Sequence, residues 1–102
     1  MTAVRHIVLV DDHDATRETL TEVVRDLGHQ VSTAANQAEA LEKIDERQFD
    51  LVLTDLKLPD GSGLEVLRKM KQTHPETPVV MITGHATIDN AVEATRLGAY
   101  EY

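Results

Sequence analysis

The sequence predicts one α/β domain in which helices cover both faces of a parallel β-sheet. Its 102 residues suffice for a single core. Four short apolar runs alternate with four segments of helical pattern, which is the order of a repeated βα unit. The runs are HIVLV (6–10), QVSTA (30–34), FDLVLTD (49–55) and PVVMIT (78–83). The first, third and fourth are almost continuously apolar, so we expect them to be central strands buried on both faces.

The first helix is predicted within DATRETLTEVVRDLG, from Asp14 to Gly28. Asp14 is placed to cap the helix, and Gly28 can end it. Its apolar residues recur at the i, i+3, i+4, i+7 spacing that puts side chains on one face. They are Leu20, Val23, Val24 and Leu27.

Three further helices follow the remaining strands. The second opens with Asn36 and carries Glu39 three residues on, close to a capping box. The third is expected from about Gly63 to about Thr73, and the fourth from about residue 88 to 97, where Gly98 stops it. The third helix should bury Leu64, Leu67 and Met70.

The charge of the chain argues against nucleic acid and membrane partners. Ten basic and eighteen acidic residues give a net charge of −8, without a basic run. The absence of cysteine excludes disulfides and thiolate metal sites. The apolar run in the start MTAVRHIVLV is shorter than that of a signal peptide or a membrane span, so a cytoplasmic protein is expected.

Polar residues follow three of the predicted strands. Asp11 and Asp12 follow the first, Asp55 ends the third and Thr83 ends the fourth. The carboxyl ends of parallel strands meet at one edge of a sheet, where ligands of such folds bind. Three carboxylates there would repel one another without a cation, and Mg²⁺ accepts such oxygen ligands. Each acid taken alone is explained as well by a solvated loop, and Thr83 by hydrogen bonds to backbone at a strand end.

These residues also carry a family resemblance over essentially the whole chain. VLVDDH, LVLTDLKLPDGSGLEVL, VVMITGHA and AVEATRLGAYEY resemble the receiver domain of bacterial two-component response regulators. The resemblance implies a flavodoxin-like (CheY-like) doubly wound sheet with strand order 2-1-3-4-5. It also implies that a sensor histidine kinase phosphorylates Asp55, with Mg²⁺ as cofactor.

The resemblance assigns roles to further residues. The implied metal ligands are Asp11, Asp12, Asp55 and the backbone carbonyl of Lys57. Thr83 would be the switch hydroxyl, and Tyr102 the switch aromatic that changes rotamer with it. The protein would then be a phosphoacceptor that assists its own phosphorylation and dephosphorylation, rather than an enzyme.

In receivers, the stretch resembling GAYEY continues through a fifth strand, a lysine and a fifth helix. The chain stops at Tyr102, so we expect residues 1–102 to form a receiver domain that is incomplete at its C-terminus. MITGHATIDNAVEATRLGAYEY is most similar to receivers of nitrogen-regulatory, sigma-54-type activators. This implies a C-terminal output domain, a transcriptional output and a possible homodimer.

Three other functions remain open. An aspartyl-phosphate phosphohydrolase would carry a second acid two residues after Asp55, where this chain has Lys57. A flavodoxin-like cofactor binder would need a phosphate loop rich in Gly, Ser or Thr in place of DDHDAT. A phosphorylation-independent interaction module would not need the full acidic set.

Two remaining features receive no chemical role. The histidines lack metal-ligand spacing, so structural or surface roles are expected for His6, His13, His29, His74 and His85. His85 is a possible exception, because in receivers its position and that of Lys57 flank the path of hydrolytic water. PDGSG is interpreted as a turn feeding a helix, with Gly61 and Gly63 relieving backbone strain.

Overall fold

A computed structural model describes residues 4–82 and shows a parallel sheet of four strands in that range. The sheet strands are β1 (His6–Val10), β2 (Gln30–Ala34), β3 (Leu51–Thr54) and β6 (Val79–Met81). They lie in the order β2-β1-β3-β6, and every pairing is parallel. This is the predicted 2-1-3-4 arrangement, with β6 as its fourth member. The order reverses between β1 and β3, which is where doubly wound folds bind ligands.

Two short strands lie outside the main sheet. β4 (Lys57–Leu58) and β5 (Gly61–Ser62) form an antiparallel pair directly after β3. Their turn holds Pro59 and Asp60 and leads straight into a helix. The interpretation of PDGSG as a turn that feeds a helix is therefore confirmed.

Three helices connect the sheet strands: α1 (Asp14–Asp26), α2 (Gln37–Glu46) and α3 (Gly63–Thr73). α2 and α3 contact each other and share the main core cluster with Val8 and Val10 of β1. Because strand side chains alternate, the buried Ile7 and Leu9 face the opposite side of the sheet. Helix α1 is not part of the α2–α3 cluster, and it contacts β1 and β2. The predicted two-sided covering follows from this arrangement.

The start of α1 differs from the prediction. His13 is the N-cap residue, its side chain makes no capping hydrogen bond, and Asp14 is the first helical residue. The Asp14 carboxylate instead accepts a hydrogen bond from Arg17, one turn further on, at 2.5 Å. Predicting Asp14 as the cap was wrong because this i,i+3 ion pair uses the carboxylate within the helix.

The apolar face of α1 is narrower than the sequence spacing indicates. Val24 is buried and Leu20 half-buried, whereas Val23 and Leu27 are exposed. Val23 lies at one edge of this face, about 60° around the helix from Leu20, and Leu27 is the C-cap residue, past the last helical residue Asp26. At the end of α1, Gly28 has a φ of +92°, and the N–H groups of Gly28 and His29 bond to carbonyls of the last turn. The prediction that Gly28 ends the helix is confirmed.

The other helix predictions hold within residues 4–82. The Asn36 side chain caps α2 by accepting from the Glu39 N–H at 2.8 Å, while the Glu39 carboxylate accepts from the Ala35 N–H. α3 has the predicted bounds and buries Leu67 and Met70, with Leu64 partly buried. The predicted fourth helix at 88–97 and any later strand lie outside the described residues. Within the described part of the chain, no helix is long and apolar enough to cross a membrane.

Candidate functional site

Three carboxylates meet at the carboxyl edge of the sheet, as the sequence predicts. We call Asp11, Asp12 and Asp55 the acidic group. One ligand-type atom from each of them, together with a ring nitrogen of His13, lies within 4.8 Å of all the others. Asp11 and Asp55 are buried, whereas Asp12 and His13 are exposed. Oxygen atoms at this spacing are suited to a small divalent cation.

The register of β1 and β3 brings the two buried aspartates together. Val10 pairs with Thr54, so the residues that follow them, Asp11 and Asp55, leave the sheet side by side. Backbone hydrogen bonds continue past the strand ends. The Asp55 N–H donates to the Val10 carbonyl at 2.8 Å, and the Asp11 N–H donates to the Ala34 carbonyl at 3.0 Å. The main chains of both aspartates are therefore held by the sheet itself.

The Asp55 side chain has a buried oxygen atom whose hydrogen-bonding capacity the described residues do not satisfy. Its Oδ1 atom is buried and accepts no hydrogen bond in the part of the chain that the structure describes, and the residue as a whole is only 6% exposed. Burying a carboxylate oxygen without a hydrogen-bond donor or a cation raises the free energy of the folded state, because the oxygen loses its hydration and no other interaction compensates. A cation beside Asp11 and Asp12 would supply that partner, so the residues present fit a divalent metal.

His13 is the site residue that the sequence reasoning missed. Its Nδ1 lies 3.4 Å from Oδ1 of Asp11 and 3.3 Å from Oδ1 of Asp12. The ring is exposed, as a surface role predicts, but the sequence reasoning did not include its closeness to the two carboxylates. The signal was its adjacency to Asp12 in DDH.

Arg17 holds the chain around the acidic group without neutralising it. Its guanidinium donates to the Asp11 backbone carbonyl at 2.8 Å and to the Asp14 carboxylate. Within residues 4–82, no lysine or arginine forms an ion pair with the carboxylates of Asp11 and Asp12, and the basic group beside them is the His13 ring. The acidic group therefore keeps most of its negative charge available for a ligand.

Asp60 ties the loop after Asp55 to helix α2. Its two carboxylate oxygens accept from the backbone N–H groups of Gln37 at 2.7 Å and Ala38 at 3.0 Å. These bonds hold the pKa of Asp60 below its ordinary value. The Gln37 side chain returns the contact by accepting from the Ser62 N–H at 2.9 Å. The segment between Asp55 and α3 is thus fixed at its far end.

Gly63 allows the start of α3 to approach the Asp55 backbone. A Cβ at this position would lie closer than 3.0 Å to the Asp55 carbonyl oxygen and 3.1 Å from Oγ1 of Thr54. Among the described glycines, only Gly28 has a positive φ. The interpretation that Gly61 and Gly63 relieve backbone strain was therefore wrong. Space next to Asp55 is what requires Gly63.

Several predicted site residues are not tested by the geometry. Lys57 lies in β4 with an exposed side chain, and its carbonyl as a metal ligand stays a prediction. Thr83, His85 and Tyr102 lie outside the described residues, so the switch roles of Thr83 and Tyr102 also stay predictions. The part of the site described comprises the acidic group, His13 and the supporting loop.

Comparison with known proteins gives one consistent family. The family described as the response regulator receiver domain matches residues 7–102. The response regulator protein PilR of Pseudomonas aeruginosa is 40% identical over 95 residues, which are 93% of this chain and 21% of PilR. The DNA-binding transcriptional regulator NtrC of Escherichia coli is 36% identical over 94 residues, 92% of this chain and 20% of NtrC. The chain thus spans about a fifth of these relatives, and the predicted likeness to nitrogen-regulatory, sigma-54-type activators is confirmed.

Solved structures of receiver domains have the same fold as this chain. A CheY-like receiver domain protein from Methanospirillum hungatei superposes with a TM-score of 0.94 at 35% identity, over 98% of this chain and 80% of that one. A response regulator from Burkholderia pseudomallei gives a TM-score of 0.91 at 30% identity, over 96% of this chain and 58% of that one. The second structure contains a phosphorylated aspartic acid and a calcium ion. The predicted CheY-like fold class is confirmed.

Proposed function

Because the chain belongs to the response regulator receiver domain family, we propose that Asp55 accepts a phosphoryl group from a sensor histidine kinase, with Mg²⁺ bound at the acidic group. The observation that carries the proposal is the buried Oδ1 of Asp55, which accepts no hydrogen bond within residues 4–82 and lies beside two further carboxylates. The phosphorylated aspartic acid and calcium ion of the Burkholderia pseudomallei regulator support it by similarity.

Asp55 is suited to the role of nucleophile by its placement. In the transfer, a carboxylate oxygen of Asp55 forms a bond to phosphorus while the bond from phosphorus to the donor histidine nitrogen breaks. Such transfers depend mainly on position and charge neutralisation, because their transition states are loose. The sheet ladder fixes the Asp55 main chain on one side, and the close approach of α3 at Gly63 fixes it on the other.

The acidic group would hold the metal through Asp11, Asp12 and Asp55, with the Lys57 carbonyl as a further ligand. When bound, a divalent cation neutralises charge between the carboxylates and the incoming phosphoryl group. Arg17 holds the Asp11 main chain by donating to its carbonyl, and the Asp11 carboxylate is positioned by the hydrogen bond that it accepts from the His13 N–H.

The remaining parts of the proposal concern the signal. Thr83 would move toward the phosphoryl oxygens and Tyr102 would follow, which is how an added phosphate changes a neighbouring surface. The protein would be a phosphoacceptor rather than an enzyme, located in the cytoplasm, able to form a homodimer and linked to a C-terminal domain that controls transcription. Transcriptional control is what the name of NtrC states for that relative.

The test is phosphoryl uptake by the purified chain and a longer version of the protein. Asp55→Asn should abolish rapid labelling from a small phosphodonor and from a kinase, while Asp45→Asn, an exposed aspartate of α2 outside the acidic group, should label normally. Mg²⁺ should raise the melting temperature of the unmodified chain, and Asp12→Ala should remove most of that rise. Undiminished labelling of Asp55→Asn would refute the acceptor assignment. Normal folding without any labelling would favour a phosphorylation-independent interaction module.

A further inference from the structure

We infer that His13 is a nitrogen ligand of the metal site, so that the site also takes late first-row divalent ions such as Ni²⁺ and Co²⁺. The inference rests on the metal site of the proposed function and adds a ligand to it. Mg²⁺ prefers oxygen ligands, whereas imidazole suits nickel, copper and zinc. One ring nitrogen at this position would therefore change the ranking of metals.

The distances are those of neighbouring ligands around one ion. Two ligand atoms about 2.1 Å from a metal lie about 3.0 Å apart at a right angle and about 4.2 Å apart when opposite. Nδ1 of His13 lies 3.4 Å from Asp11 Oδ1 and 3.3 Å from Asp12 Oδ1, and the whole set spans no more than 4.8 Å. Changes of up to about 0.6 Å in these separations would bring the atoms to coordination distances.

The same distances are too long for good hydrogen bonds. N–H···O bonds have donor–acceptor distances of about 2.7–3.2 Å. The hydrogen bond from His13 to the acidic group in the described structure is that of its backbone N–H to Asp11 Oδ1, at 2.8 Å. The ring nitrogen thus faces two carboxylates without bonding to either. Together with the buried Oδ1 of Asp55, for which the described part of the chain supplies no hydrogen-bond donor, this points to an ion between them.

The main chain of His13 is already held in place. Its N–H bonds to Asp11, and its carbonyl accepts from the Arg17 N–H at 2.9 Å in the first turn of α1. The side chain is 66% exposed, so the ring can rotate toward an ion without disturbing the core. Ordering one ring is a small entropic cost, because the backbone next to it needs no change.

A rival explanation makes His13 a competitor of the metal. A protonated imidazole would pair with the same carboxylates and would have to leave before a cation entered. The two explanations predict opposite results for removal of the ring. As a ligand, His13 raises nickel affinity. As a competitor, it lowers the affinity for nickel and magnesium alike.

The experiment is calorimetric titration of the chain with Ni²⁺ and separately with Mg²⁺. His13→Asn should lower Ni²⁺ affinity about tenfold or more and change Mg²⁺ affinity much less, since only nickel depends on the nitrogen. Asparagine is also a favoured N-cap residue, so α1 should start normally. His74→Asn, at the C-terminal end of α3, controls for adventitious binding to other histidines and should leave both affinities unchanged. With Co²⁺, the visible absorption bands should shift in His13→Asn and not in His74→Asn.

The outcomes separate this inference from the proposed function. An unchanged ratio of nickel to magnesium affinity in His13→Asn would overturn the ligand assignment, and so would a rise in both affinities. If Asp12→Ala loses Mg²⁺ binding while His13→Asn gives either of these two results, the proposed magnesium site is still supported. Binding of Ni²⁺ through His13 without measurable Mg²⁺ binding would support the inference and refute the magnesium assignment. Binding of neither ion would overturn both.

Discussion

Gly63→Ala should destabilise the fold at the point where α3 meets the acceptor residue. The new methyl group would lie within 3.0 Å of the Asp55 carbonyl oxygen, 3.1 Å from Thr54 Oγ1 and 3.2 Å from the Asp55 carbonyl carbon. Two of these atoms belong to the Asp55 backbone, and Thr54 Oγ1 is held by the hydrogen bond that it donates to the Asp55 carbonyl. None of them can therefore swing away as the end of a flexible side chain. The backbone must therefore move.

The expected loss follows from known costs of overpacking. An added methylene group in a packed region costs about 1–3 kcal/mol of the free energy of unfolding. Alanine gains up to about 1 kcal/mol over glycine as a helix former, and less at the first helical residue. We therefore expect a net loss of about 1–2 kcal/mol. For a domain of this size, that loss lowers the melting temperature by about 4–16 °C.

Thermal and urea unfolding measure this loss, and Gly61→Ala is the matched control. A Cβ at Gly61 would meet the side-chain amide of Gln37, which can rotate away. Its cost should stay near that of one hydrogen bond, about 0.5–1.5 kcal/mol, since Gln37 accepts from Ser62. Gly63→Ala should also slow labelling of Asp55 on the order of tenfold, because a 1 Å misplacement of a reacting group can cost about a hundredfold.

Two results would refute this reasoning about Gly63. Stability of Gly63→Ala equal to that of the unmodified chain would show that α3 can move away without cost. Equal slowing of Asp55 labelling in the two variants would show that the contact of Gly63 with the Asp55 backbone has no particular effect.

Two further predictions concern α2 and the start of β1. Asn36→Ala removes the side-chain cap on the Glu39 N–H and should cost about 1 kcal/mol in urea unfolding. Asn36→Asp should retain the cap, and equal losses in both variants would contradict its role. Burial, and next the positive charge of Arg47, hold the pKa of His6 below its ordinary value of 6.5, against the charge of Asp50. The unfolded chain then binds the proton more readily, so stability should fall as the pH is lowered from 6.5 to the folded-state pKa, and no further once both states are protonated. His6→Gln should flatten that part of the stability curve, and an unchanged slope would contradict the assignment.

The sheet and its acidic edge could be predicted because both follow from local patterns. Continuous apolar runs mark β1 and β3, and parallel pairing then brings the residues after them together. The bounds of β3 were less predictable. Phe49 was expected within the strand, yet it precedes the strand and packs against the His6 ring with centroids 5.1 Å apart. Its burial comes from a tertiary contact that the local pattern does not contain.

The supporting contacts of the site could not be predicted for the same reason. Asp60 bonds to Gln37 and Ala38, which precede it by more than twenty residues. The sequence PDGSG indicates only a turn, since a carboxylate in a turn has many possible partners. The requirement at Gly63 likewise depends on how closely α3 approaches Asp55. Such requirements appear only when two elements are placed in space.

The bonds of Asp60 have a consequence for attempts to move this loop between proteins. The loop after Asp55 is hydrogen-bonded to the first turn of α2, which comes from a distant part of the sequence. A loop grafted alone would leave two amide groups of the recipient helix without their acceptor and would lose its own anchor. The smallest portable unit is therefore discontinuous: residues 56–62 together with the first turn of α2.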